Sequence, residues 1–157
     1  MKLGIVGNGM IVKTVLNELK DTDIESTALW CRSEDRGRPV ADAFGIEKIY
    51  TDYNAFLKDD SYDFVYMGLA NSAHYEYTLK AIRAGRNVIL EKPFTSTYQE
   101  AKQLVEEAKE YGVILFEAML SRYSANYEII PSYLSEIGEI KLIRSTFCQY
   151  SSRYDAY

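Results

Sequence analysis

The chain has 157 residues, 47% of them hydrophobic and 26% charged, which is enough for one ordinary core and a small appendage. Its net charge of −5 argues against a nucleic-acid partner, because phosphate backbones are held chiefly by clustered Lys and Arg. No apolar run approaches the roughly 20 residues of a membrane span, and Cys31, Cys148 and a single His offer neither a disulfide framework nor a metal site.

From the N-terminus, Lys2 leads at once into a strand-like run, Lys2 to Val6, and not into the apolar stretch of a secretory signal, so a cytoplasmic location is expected. The run ends in Gly7-Asn8-Gly9-Met10-Ile11-Val12 and a helix over about Met10 to Lys20. Two glycines in that setting let the backbone turn tightly and approach a pyrophosphate at a helix N-terminus. A lone GxG also serves ordinary strand-to-helix turns, and Val12 stands where a third small residue is usual.

A second strand is expected over Ser26 to Cys31. A dinucleotide site selects its adenosine ribose about 20 residues beyond the glycine turn, and 31 − 9 = 22 lands on Cys31-Arg32-Ser33. No carboxylate stands there for a free 2′-hydroxyl. Arg32 and Ser33, with Arg36 and Arg38 nearby, suit a 2′-phosphate, which favours NADP over the alternative NAD; the other reading is a solvated Arg cluster offset by Glu34 and Asp35.

Pro39 fits the first turn of a helix running to Phe44. A strand at Lys48 to Tyr50 and a helix at Tyr53 to Lys58 follow. The strand Phe64 to Gly68 opens into Leu69-Ala70-Asn71-Ser72-Ala73-His74, with a helix expected over His74 to Ala84 and Asn71 able to cap it. Next come a strand at Asn87 to Leu90, the turn Glu91-Lys92-Pro93, a helix at Tyr98 to Tyr111 and a strand at Val113 to Glu117. Ala101, Leu104, Val105, Ala108 and Tyr111 form one apolar stripe on that last helix. Gly85 and Gly112 follow helix-like stretches that they can close. Six strands alternating with five helices predict an α/β fold, a Rossmann-type doubly wound parallel sheet, over residues 1–119.

Beyond Met119 the pattern changes to a polar stretch, a helix near Tyr127 to Ile137 and an alternating strand over Glu139 to Tyr150. Residues 120–157 read as the beginning of a second, α+β domain. One strand cannot bury its apolar face by itself, so partner strands are absent or another chain supplies them, which favours a homo-oligomer built through that sheet.

Glu91-Lys92-Pro93, the Gly7/Gly9 turn, Asn71-x-x-His74, and Glu117-Ala118-Met119 followed by Arg122 together resemble the Gfo/Idh/MocA oxidoreductases. That resemblance implies hydride transfer between nicotinamide and a small-molecule substrate, a sugar, polyol or related alcohol, and makes residues 120–157 the beginning of a substrate and dimerisation domain. It implies that Lys92 lies beside the nicotinamide and touches cofactor or the reacting oxygen, with Glu91 holding it and Pro93 shaping the turn. It places Asn71 near the nicotinamide, Arg122 along the nicotinamide or substrate pocket, and Gly7, Asn8, Gly9, Met10, Ile11 and Leu69 along the cofactor. His74 is a second catalytic group for proton transfer, a cofactor contact facing the pyrophosphate region, or a capping residue, and Arg122 is alternatively a surface residue at a domain junction. Glu117 reads as structural. Three departures stand out: Val12, Ala70 in place of the usual proline before Asn71, and a length about half the family's, without its Gly-rich Asp-and-His motif. The expectation is a chain that binds cofactor with little or no turnover by itself; a non-catalytic cofactor-binding or assembly module is the alternative.

Overall fold

Six strands, β1 (Lys2–Val6), β2 (Glu25–Trp30), β3 (Lys48–Tyr50), β4 (Phe64–Met67), β5 (Asn87–Glu91) and β6 (Leu115–Ala118), pair in parallel in the order β3-β2-β1-β4-β5-β6. Five helices join them: α1 (Met10–Glu18), α2 (Glu34–Phe44), α3 (Tyr53–Leu57), α4 (Asn71–Arg83) and α5 (Tyr98–Glu110). This doubly wound sheet makes up a unit spanning Met1–Met119, and a second unit begins at Leu120. The computed structural model describes residues 1–146 and 148.

Both sheet faces are covered, which is why the strands are apolar on both sides. Leu3 and Ile5 of β1, Leu29 of β2 and Tyr66 of β4 pack with Val12 and Leu16 of α1 and Val40 and Ala41 of α2. Val6, Trp30, Val65, Met67, Val88 and Leu90 point the other way, against Phe56 of α3, Ile82 of α4 and Leu104 of α5.

The helix α2 begins at Glu34, five residues before the expected start at Pro39. Ser33 is extended, and its carbonyl accepts from the N–H groups of Arg36 (3.2 Å) and Gly37 (3.1 Å). Glu34 and Asp35 favour the positive helix end, and Glu34 pairs with Arg38 one turn on. These gains offset the hydrogen bond that Pro39 cannot make, so the proline sits inside the helix. Likewise α4 starts at Asn71, and its N-cap is Ala70, so Asn71 is not the cap expected from the sequence.

At the start of α5 the Thr97 Oγ accepts from the Glu100 N–H (3.3 Å) while Glu100 Oε2 accepts from the Thr97 N–H (3.0 Å). This reciprocal cap satisfies two otherwise orphaned donors. Thr97→Ala is expected to lower unfolding free energy by about 1 kcal/mol; a urea titration in which the midpoint does not move would remove the cap from the account.

In the second unit a 3-10 turn (Leu120–Tyr123) precedes α6 (Ala125–Ile137), whose cap is Ser124, with Oγ accepting from the Tyr127 N–H (3.3 Å). Residues 139–146 form no strand, which corrects the expected strand over Glu139 to Tyr150; Phe147, Gln149 and Tyr150 lie outside the described residues. An extended segment gains its ladder hydrogen bonds only from a neighbour, and alternation of side chains does not provide one. Among the described residues no helix is long and apolar enough to cross a membrane.

Candidate functional site

The order of strands reverses between β1 and β4, so the turns that follow them diverge and leave a crevice at their carboxyl ends. Gly7 follows β1 with φ +107, a region that L side chains rarely adopt, and its N–H donates to the Trp30 carbonyl (2.9 Å). A Cβ on Gly7 would lie 2.5 Å from the Gly68 carbonyl oxygen. Gly68, after β4, donates to the Val6 carbonyl (2.9 Å), and a Cβ there would lie 2.5 Å from Val12 Cγ2. The departure at Val12 thus has a local cause: the room that a small helix residue would give is supplied from the strand side by Gly68.

Gly9 differs. Its backbone is ordinary (φ −74), and a Cβ on it would meet nothing within 4 Å. Nothing in the chain itself crowds this position. It is also the N-cap of α1, a helix with no side-chain cap and no acid in its first turn, so donors and the positive dipole end face the opening. The cleft there measures about 250 Å³ and is lined by Gly7, Asn8, Gly9, Ile11, Arg32 and Leu69, together with Trp30, Cys31, Gly68 and Ala70. A group with phosphate oxygens fits this donor set and this space.

At the end of β2, Arg32 is exposed, and among the described residues no carboxylate pairs with it. Glu34, which could offset it, is taken by Arg38. Ser33 is the N-cap of α2, and its carbonyl accepts from the Cys31 Sγ–H (3.1 Å). Burial pushes the Cys31 thiol above its ordinary pKa, so it stays protonated. The Asn8 side chain is committed to the protein: Nδ2–H donates to the Arg36 carbonyl (2.8 Å) and ties the glycine turn to α2. Met10, the first residue of α1, is exposed.

One strand beyond β4, the end of β5 carries Glu91, Lys92 and Pro93. Glu91 is 6% exposed, and its Oε1 accepts from the Tyr66 hydroxyl (2.8 Å). Its Oε2 accepts from the backbone N–H of Lys92 (3.2 Å). The resemblance implies that Glu91 holds Lys92, and the geometry specifies how: it grips the backbone, while among the described residues the exposed Lys92 ammonium has no ion pair. Burial, then the bond to Glu91, raises the pKa of Tyr66, so its hydroxyl remains a donor.

His74 is 1% exposed on α4, with Nδ1 2.8 Å from the Pro93 carbonyl oxygen and Nε2 3.2 Å from the Leu69 carbonyl oxygen. Its ring therefore lies between the turns after β4 and β5, with neither nitrogen open to solvent. Asn71 is exposed at the start of the same helix, and Glu117 is half-buried on β6. Arg122 is exposed in the 3-10 turn of the second unit. Tyr66 is the residue that reading the sequence missed. The available signal was a phenol inside an otherwise apolar strand, with a carboxylate at the end of a following one.

Residues 1–119 match the family model GFO_IDH_MocA, an oxidoreductase family with an NAD-binding Rossmann fold. The chain is 31% identical over 158 aligned residues to scyllo-inositol 2-dehydrogenase (NADP(+)) IolU of Bacillus subtilis, covering 100% of this chain and 48% of that protein. It is 34% identical over 149 residues to D-xylose 1-dehydrogenase (NADP(+)) 2 of Haloferax volcanii, covering 94% of this chain and 46% of that one. Among solved structures, the 3-ketoreductase KijD10 from Actinomadura kijaniata, in complex with TDP-benzene and NADP, superposes with a TM-score of 0.79 at 30% identity, over 87% of this chain and 43% of that one. The chain spans about half the length of the curated relatives it matches. With its sheet order, its glycine crevice and the match over residues 1–119 in agreement, the chain belongs to the Gfo/Idh/MocA family of oxidoreductases, whose NAD-binding Rossmann fold it carries.

Proposed function

We propose that this chain forms the cofactor-binding half of an NADP-dependent dehydrogenase or reductase that acts on a sugar, polyol or related alcohol or carbonyl compound. The observation that carries the reading is the open space before Gly9 at the uncapped end of α1, with Arg32, which pairs with no carboxylate among the described residues, at its rim. Gly7, Gly9, Met10 and Ile11 present backbone to the pyrophosphate, and Asn8 keeps that turn in place through Arg36. Leu69 flanks the cofactor on the β4 side. Arg32 and Ser33 hold the 2′-phosphate, where a charge-assisted bond from guanidinium is strongest. The inositol and xylose dehydrogenases above are named for NADP and for polyhydroxylated substrates, which supports both the cofactor and the substrate class.

Bound nicotinamide supplies or accepts the hydride. Lys92, whose ammonium has no ion pair among the described residues, reaches the nicotinamide end of the cofactor, polarises the reacting C–O bond and balances negative charge on its oxygen. Asn71, exposed at the turn one strand away, orients the nicotinamide side. Arg122 enters this reading on the likeness of its stretch alone. His74 moves no proton in this scheme, because it is buried and both ring nitrogens face backbone carbonyls.

Calorimetric titration with NADPH and NADH tests the cofactor assignment. We expect NADPH to bind more tightly, and Arg32→Ala to weaken it by about 10-fold or more, the worth of one hydrogen bond to a charged group, with little change for NADH. A preference for NADH would overturn the role of Arg32. Absence of binding by the folded chain would overturn the cleft as a cofactor site.

A further inference from the structure

We propose that Tyr66 and His74 are positioning residues for Lys92, each fixing one side of the Lys92-Pro93 turn through a buried hydrogen bond. The inference rests on the reading of Lys92 given above. A lysine delivers a point charge on a flexible four-carbon stem, so where the ammonium can reach depends on how firmly its backbone is set. That backbone is held before and after the stem. On the N-terminal side, Glu91 Oε2 accepts from the Lys92 N–H (3.2 Å). On the C-terminal side, His74 Nδ1 lies 2.8 Å from the Pro93 carbonyl oxygen.

Neither holder is free to drift. A carboxylate next to Lys92 could rotate toward the ammonium, but the Tyr66 hydroxyl engages Oε1 at 2.8 Å and keeps Oε2 on the amide. The register makes this possible: Tyr66 pairs with Ile89, and Glu91, two residues on, returns to the same face of the sheet. His74 reaches across from α4. A neutral imidazole donates once, and the shorter contact gives that proton to Nδ1 and Pro93. The other nitrogen lies 3.2 Å from the Leu69 carbonyl oxygen and, carrying no hydrogen in that tautomer, makes no hydrogen bond to it. Burying a phenol, a carboxylate and an imidazole is costly unless each is bonded, and apolar residues would fill the same volumes at less cost. What the polar groups add is a fixed backbone on either side of the Lys92 stem.

The test measures binding of NADPH and of 2′,5′-ADP, its adenosine half without nicotinamide, to the full chain. The proteins are the unaltered chain and its Lys92→Ala, Tyr66→Phe, His74→Leu and His74→Asn variants. We expect Lys92→Ala, Tyr66→Phe and His74→Leu each to weaken NADPH about fivefold, the worth of one ordinary hydrogen bond, while 2′,5′-ADP is held as before. His74→Asn retains a side-chain N–H donor near Nδ1 and should restore most of the NADPH affinity. In Tyr66→Phe the Lys92 amide should exchange its hydrogen about tenfold faster, with the Leu90 amide unchanged.

Equal losses for both ligands in Tyr66→Phe and His74→Leu would reduce these residues to general supports and overturn the proposal. So would a loss in Lys92→Ala alone, or unchanged exchange at Lys92. If Lys92→Ala itself leaves NADPH binding intact, the contact of Lys92 with the nicotinamide end fails and the proposal falls with it. No binding of NADPH by the unaltered chain overturns both.

Discussion

Gly7→Ala is expected to abolish measurable NADPH binding and to destabilise the fold, whereas Gly9→Ala should abolish binding and leave the fold nearly intact. The two glycines differ in what surrounds them. At φ +107 an alanine carries strain of about 1–3 kcal/mol. Its Cβ would also lie 2.5 Å from the Gly68 carbonyl oxygen, a backbone atom that cannot swing aside, because Gly68 is bonded through its N–H to Val6. The turns after β1 and β4 would have to separate, at a further cost of about 1–3 kcal/mol typical of overpacking. The crevice lies between those turns, so its shape is lost with them.

Gly9 has an unstrained backbone and open space where a Cβ would go, so alanine there costs the chain no more than about 1 kcal/mol, the difference between a good and a poor N-cap. The methyl group would instead occupy the space assigned to the pyrophosphate. Thermal unfolding and NADPH titration of both variants decide the matter. If Gly9→Ala binds NADPH as the unaltered chain does, the cradle is not at Gly9.

The second large effect is on stability alone. Phe56→Ala should lower unfolding free energy by about 3–5 kcal/mol, the range for removing a buried aromatic ring. Phe56 is fully buried on α3 and stacks on Tyr62 (5.0 Å between centroids, 23° between planes) and on Tyr53 (5.9 Å, 14°), with Tyr50 at its edge. Tyr62 donates its hydroxyl to the Phe56 carbonyl (2.6 Å), so ring and backbone are held together. Both rings lie close over β1. A Cβ on Gly4 would come within 2.7 Å of Tyr62 and 2.9 Å of Phe56, which explains a glycine inside a core strand. Little of that packing can collapse into the vacancy, because the surrounding rings are themselves pinned. Urea unfolding gives the measurement, and a loss below about 1 kcal/mol would show that the ring cluster is not the anchor of this face. Below its unfolding transition the variant should still bind NADPH, since neither Phe56 nor the tyrosines stacked on it line the glycine crevice.

Much of this arrangement was readable in the chain. Strand runs such as Phe64 to Met67, the stripe on α5, the Gly7 turn and the Glu91-Lys92-Pro93 turn are patterns among near neighbours, set by side-chain size, period and the φ values that glycine alone tolerates. They determined the sheet, its layers and the edge where the candidate residues gather. Helix starts were less legible where local preferences conflicted. Pro39 argued for a helix starting there, but the Ser33 carbonyl, the acids of the first turn and the Glu34–Arg38 pair carried the start back to Glu34.

Tertiary structure alone decided what the polar residues do. The alternation from Glu139 to Tyr150 specified which side chains would share a face, yet residues 139–146 form no strand, because the ladder must come from a neighbour. His74 meets a carbonyl 19 residues away, and Tyr66 a carboxylate 25 residues away. Such bonds exist only once β4 and β5 lie side by side in register. Sequence by itself determined a glycine-turned, doubly wound sheet with a lysine at one strand end. Only the fold decided that Glu91 would meet the Lys92 amide and His74 the Pro93 carbonyl, because a hydrogen bond is set by distance in space and the local pattern records distance along the chain.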